Sequence, residues 1–156
     1  MRISRTAPIV LPLFTILALA LSACGGPGTS MAPDRKTAAQ TERVAVPGSG
    51  SYTNVNVAGM VDMLENKDFP FINVHIPYEG EIEGTDLFIP YDKIEQHLDQ
   101  LPANKNARVV LYCRSGRMSE EAASTLVQLG YTDVWNLDGG MIAWKQAGYP
   151  ILEKDQ

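Results

Sequence analysis

The chain has 156 residues, with 13 basic and 18 acidic side chains and a formal net charge of −5. That balance is poorly suited to nucleic acid, or to holding anionic lipid by charge. Two cysteines and two histidines, with no CxxC pair and no Cys/His cluster at ligand spacing, argue against a zinc site and against disulfide exchange through an internal partner.

Residues 1–23 open with Arg2 and Arg5, run apolar from Ile9 to Leu21 and end in small residues. This is the layout of a secretory signal, too short and weakly flanked for a good spanning helix. Its end, Leu21-Ser22-Ala23-Cys24, resembles the bacterial lipobox, in which a diacylglyceryl group is attached to the cysteine and the chain is cut before it. Cleavage there would remove Arg2 and Arg5 and take the formal charge from −5 to −7. It implies a lipid anchor at Cys24, facing the periplasm or cell exterior, as the sole membrane attachment. With Cys24 lipidated, Cys113 is the remaining thiol, a liability in an oxidising compartment unless buried or used.

Residues 24–50 are rich in Gly, Pro, Ser, Thr and Ala without apolar periodicity and read as a flexible tether. One domain is expected over 51–151, with a tail at 152–156. Within it, 52–56 reads as a short strand, and 57–67 as a helix with Val57, Met60, Val61 and Leu64 at helical spacing. The run 69–76 is continuous and β-rich, as for a strand covered on both faces. An acidic loop (77–86) and a short strand (87–90) follow, then a helix over 91–101 with Ile94, Leu98 and Leu101 on one face. Residues 107–112 form a strand, and 119–130 a helix with Ser119 as candidate N-cap. Residues 133–137 form a strand and 139–149 a helix. The alternation argues for a three-layer α/β domain with a largely parallel central sheet flanked by helices.

In such sheets reactive groups gather at the carboxyl ends of the strands, where Cys113 and His75 both fall. With a helix beginning at Ser119, Cys113 to Met118 form a loop whose backbone amides can curl around the sulfur. The helix N-terminus, Arg114 and Arg117 each favour thiolate over thiol, and Gly116 permits the left-handed backbone a cradle needs. The same basic patch on an acidic protein would select a small anion. The plainer reading is a buried structural cysteine with arginines in solvent.

The Cys113–Met118 loop, together with Asn136–Ile151 containing Gly139, Gly140, Trp144, Gly148 and Pro150, resembles a single-domain rhodanese over about residues 51–151. Read from the residues alone, the second element is structural: Gly139 and Gly140 turn strand into helix, and Trp144 is core. The resemblance implies sulfurtransfer. Cys113 would take the sulfane sulfur of thiosulfate as a persulfide and pass it to cyanide or a thiol. Arg114, Ser115, Gly116, Arg117, Met118 and Ser119 would bind the donor, with His75 assisting, and neither metal nor cofactor would be needed.

The chain departs from the family pattern where Asp-Val-Arg usually stands, reading Asn73-Val74-His75, and "GEIEGTD" replaces the usual Gly-His-Ile-Pro-Gly-Ala. The carboxylate–arginine pairing of that region is therefore in question. His75 has a structural alternative, and His97 reads as solvated. Glu79, Glu81, Glu83 and Asp86 read as a solvated loop without calcium-site spacing. Two alternatives stay open. A non-catalytic persulfide carrier or binding module fits the altered strand. A phosphatase or arsenate reductase would need Cys-x5-Arg, and that position is Ser119.

Overall fold

The structure, a computed structural model, describes residues 38–153. The expected signal segment 1–23, Cys24 and the tether up to residue 37 lie outside the described residues, as do residues 154–156 of the tail. No helix among the described residues is long and apolar enough to cross a membrane.

The sheet has six strands: β1 (Thr41–Val46), β2 (Gly50–Val55), β3 (Phe71–Asn73), β4 (Leu87–Phe88), β5 (Val109–Tyr112) and β6 (Val134–Leu137). Their order is β1-β2-β6-β5-β3-β4. Only the β1–β2 pair is antiparallel; β2, β6, β5, β3 and β4 run parallel. Three helices pack on it: α1 (Val57–Glu65), α2 (Arg117–Gln128) and α3 (Gly140–Gln146). The expected α/β architecture with a largely parallel sheet is the one observed.

β5 shows why two cores form. Val109, Leu111 and Cys113 pack with Ala122, Ala123, Leu126 and Val127 of α2 and with Ile94. Val110 and Tyr112 alternate to the other face, against Met60 of α1 and Met141 and Trp144 of α3. Helices of 7 to 12 residues are marginal alone. Burying a Leu, Val or Met side chain gives about 1.5–3 kcal/mol, so it is the sheet that holds them helical.

The strand register fixes the reactive edge. Asn54, Asn136, Leu111 and Ile72 are aligned across β2, β6, β5 and β3. Two residues further along each parallel strand lie Asn56, Asp138, Cys113 and Val74, all at the carboxyl edge.

Several expectations are corrected. Residues 41–50 are not tether: β1 pairs along its whole length with β2 through a turn at Pro47-Gly48, where Gly48 has φ +75° and Ser49 N–H donates to the Val46 carbonyl at 3.0 Å. The domain does not stop at 151, because Leu152 bridges Glu81. The expected strand 69–76 narrows to Phe71–Asn73. Asn56, expected in a strand, caps α1 by accepting from Gly59 N–H at 3.0 Å. Tyr91–Gln100 is a 3₁₀ segment interrupted at His97, not one regular helix, and His97 is partly buried with its Nδ1 3.1 Å from Gln100 Nε2. The acidic loop is not wholly solvated. Glu81 is buried, and Asp86 takes the Phe71 N–H at 2.7 Å and pairs with Lys67 at 2.6 Å.

Candidate active site

Cys113 directly follows β5 and is the free cysteine among the described residues. α2 starts at Arg117, three residues earlier than a Ser119 cap predicts, so the connecting loop is Cys113–Gly116 alone. Gly116 stands at the N-cap with φ +101°, a conformation that favours glycine, and its N–H donates to Cys113 Sγ at 3.1 Å. Ser119 is not the cap. Its hydroxyl turns back and donates to the Gly116 carbonyl at 2.8 Å, which also accepts from Glu120 N–H at 2.9 Å. The sulfur thus lies at the N-terminus of a 12-residue helix, where the unpaired amides carry partial positive charge. The expected ring of amides reduces to one recorded donor, Gly116.

The carbonyls of the loop are held from the opposite side. Met141 N–H donates to the Cys113 carbonyl and Ile142 N–H to the Arg114 carbonyl, both at 2.9 Å. The first turn of α3 is therefore docked backbone to backbone on the cysteine loop. Gly140 makes this approach possible: a Cβ there would lie 2.2 Å from the Cys113 carbonyl oxygen. The glycine pair does more than turn the chain after β6, and Trp144, as expected, is core.

On the β3 side, Asn73 is buried and makes two bonds: His75 N–H donates to its Oδ1 at 3.0 Å, and its Nδ2 donates to the Gly80 carbonyl at 3.0 Å. The second needs an amide, which an aspartate lacks. The Tyr112 hydroxyl secures the next stretch, taking the Ile82 N–H at 3.0 Å and lying 2.7 Å from Thr85 Oγ1. Burial pushes that hydroxyl well above the ordinary phenol range.

Here the structure places a residue that the sequence did not single out. Glu79 Oε2 pairs with Arg114 Nε at 3.0 Å, and its Oε1 lies 3.6 Å from His75 Nε2. The loop after β3 thus supplies Arg114 with a carboxylate partner. His75 is buried, and both ring nitrogens lack a hydrogen-bond partner. Its backbone N–H is tied to Asn73, but its ring faces the Glu79 carboxylate.

Of the predicted donor-binding residues, Arg114 and Ser115 are exposed, Gly116 and Ser119 are buried, and Met118 packs against the α2-side core. Arg117 is in the first turn of α2, exposed, with Nη1 3.6 Å from Glu121 Oε2 and its guanidinium 6.0 Å from the Tyr91 ring centre. Both loop arginines therefore already face a carboxylate. A groove of about 300 Å³ opens beside Arg114, lined also by Glu79, Met141, Ile142, Lys145 and Gln146. No group of His, Cys, Asp and Glu able to hold a metal occurs among the described residues.

The rhodanese-like domain profile matches residues 58–147, the stretch that carries the cysteine loop and its α3 dock. A sulfurtransferase of Allochromatium vinosum is 36% identical over 93 residues, 58% of this chain and 84% of that protein. A tRNA uridine(34) hydroxylase of Escherichia coli is 29% identical over 99 residues, but these make up only 28% of its length. A rhodanese-like domain protein from Staphylococcus aureus superposes with a TM-score of 0.52 at 28% identity, over 64% of this chain and 98% of that one. The chain belongs to the rhodanese-like domain family and is a sulfurtransferase-family protein.

Proposed function

We propose that the protein moves a sulfane sulfur from a small anionic donor such as thiosulfate to cyanide or a thiol through a persulfide on Cys113. The observation that carries this is the Gly116 N–H on Cys113 Sγ at 3.1 Å, at the head of α2. In the first step the Cys113 thiolate bonds to the sulfane sulfur of thiosulfate. The donor's S–S bond breaks, its electron pair leaves with sulfite, and the outer sulfur of the new persulfide carries the charge. In the second step a nucleophile bonds to that outer sulfur and the Cys113 thiolate returns. The Gly116 amide and the helix terminus are oriented before either step, so stabilising the anion costs little reorganisation. The direct test is intact mass after thiosulfate treatment, which should rise by one sulfur at Cys113.

A dianionic donor must compete with the carboxylates on the loop arginines. A half-exposed ion pair is worth about 0–1 kcal/mol, whereas a hydrogen bond to a charged group reaches about 1.5–3 kcal/mol. The donor should therefore prevail. Arg117→Ala is expected to lower kcat/KM for thiosulfate by at least about tenfold, the ~1.4 kcal/mol scale of one charge-assisted contact. Steady-state kinetics would check it; an unchanged value would leave anion binding to Arg114 and the amides.

A second reading, a persulfide carrier without rapid turnover, is favoured by the 1% exposure of Cys113. Thiosulfate:cyanide turnover, set against mere formation of a stable persulfide, separates the two.

The lipid anchor is proposed on Leu21-Ser22-Ala23-Cys24 alone. Cys24→Ser should release the protein from the membrane fraction while sulfur chemistry survives. Partition of the variant with membranes to the parent's extent would refute the anchor.

A further inference from the structure

His75 is a buried titratable group that the two sulfur-transfer steps leave unused. Its side chain is 8% exposed, and neither ring nitrogen has a hydrogen-bond partner among the described residues. A neutral imidazole so placed leaves one donor and one acceptor unmet, an arrangement that costs stability. The charged group recorded beside the ring is Glu79, with Oε1 3.6 Å from Nε2. The other oxygen of the same carboxylate holds Arg114 Nε at 3.0 Å. Asn73 builds this arrangement. Its bonds to the His75 N–H and the Gly80 carbonyl, both at 3.0 Å, close the loop that carries Glu79. The Glu79 side chain is 46% exposed, so its carboxylate is free to turn toward either cation.

We infer that His75 is a positioning residue: a proton on its ring draws Glu79 away from Arg114 and so raises the affinity of the cysteine loop for a small dianion. The inference rests on the sulfurtransfer reading only in taking Arg114 as a contact for the anionic donor. The charge count carries it. With a neutral ring, one carboxylate neutralises one guanidinium. With a protonated ring, the same carboxylate faces two cations, and one positive charge is left over for a ligand. Imidazole is the side chain that ordinarily changes charge between pH 5 and 8. Once protonated, it gains a second N–H for a charge-assisted bond to the carboxylate. Other titratable groups stand around the cluster. Glu81, on the same loop, accepts from the Tyr78 hydroxyl at 3.3 Å. Lys145 of α3 borders the groove beside Arg114 and has no ion-pair partner recorded among the described residues. Cys113 precedes Arg114, and a thiol can also ionise near neutral pH, so the test must separate it from His75.

The test is a titration of the unloaded protein with inorganic sulfate, followed on the Arg114, Ser115 and Gly116 amide resonances at fixed ionic strength. Sulfate has the charge and shape of thiosulfate but no sulfane sulfur. Between about pH 8 and about pH 5.5 the parent's affinity should rise about fivefold, the scale of one half-exposed ion pair. Cys113→Ser should keep that rise and His75→Gln should lose it. Glu79→Gln, a change at a half-exposed side chain, should bind at the higher pH as tightly as the parent does at the lower. In turnover, the KM for thiosulfate should fall with pH in the parent and stay level in His75→Gln. An affinity that does not change with pH, or a rise that persists in His75→Gln or vanishes in Cys113→Ser, overturns the assignment. Should His75→Gln fail to fold by circular dichroism, Glu79→Gln decides: sulfate binding no tighter than the parent's at the higher pH refutes the relay. Failure of thiosulfate to load Cys113 counts against sulfurtransfer alone, because the sulfate titrations need no persulfide.

Discussion

Cys113→Ser is expected to fold as the parent does, to show no thiosulfate:cyanide turnover, and to gain no mass with thiosulfate. The substitution is nearly isosteric at a site 1% exposed. Its hydroxyl can still accept the Gly116 N–H that Sγ accepts at 3.1 Å. What it loses is chemistry: a neutral hydroxyl is a far poorer nucleophile than a thiolate and cannot hold a labile persulfide. Circular dichroism and a urea unfolding free energy within about 1 kcal/mol of the parent would certify the fold. Turnover retained in this variant would sink the mechanism, because no second cysteine lies among the described residues to replace it.

Gly140→Ala should be the most damaging change outside the nucleophile. The new Cβ would sit 2.2 Å from the Cys113 carbonyl oxygen and 2.9 Å from the Arg114 carbonyl carbon, both backbone atoms that cannot swing away. φ is +54°, a region costing L residues roughly 1–2 kcal/mol. Relief requires α3 to lift, which breaks the Met141–Cys113 and Ile142–Arg114 bonds, each worth about 1 kcal/mol. Together these predict a loss of about 3 kcal/mol in urea unfolding, and a fall of at least about tenfold in kcat/KM as the loop loses its support. Gly148→Ala is the control. Its φ is +92°, but a Cβ there meets nothing within 4 Å, so strain alone should cost about 1–2 kcal/mol. Equal losses in the two variants would remove the docking argument.

Alternating strand and helix segments, the position of Cys113 at a strand end and the glycine pair were legible in the sequence, because each depends on local periodicity or a local backbone requirement. β1 was not. Val46 is its one buried residue, so burial leaves almost no pattern; the strand exists through its ladder with β2, and only the Pro47-Gly48 turn hinted at it. Ser119 misled for a physical reason, since a serine hydroxyl that caps from one position can also bond back to a carbonyl three residues earlier, as it does here to Gly116. The Glu79–Arg114 pair had no local signal at all. It joins residues far apart in sequence, and Glu79 reads as one member of an acidic run.

The route by which the chain enters the domain has a further consequence. Asn56 Nδ2 donates to the Ala38 carbonyl at 2.8 Å, and Asn56 Oδ1 accepts from Gln40 N–H at 3.0 Å. The polypeptide is thereby clamped at the level of Asn56, on the carboxyl edge of β2, and Cys113 follows β5 on that edge with only β6 between. Two strand spacings amount to about 10 Å. Residues 38–40 and the reactive sulfur therefore lie at the same edge of the sheet. A partner arriving from the opposite end of the strands would find neither.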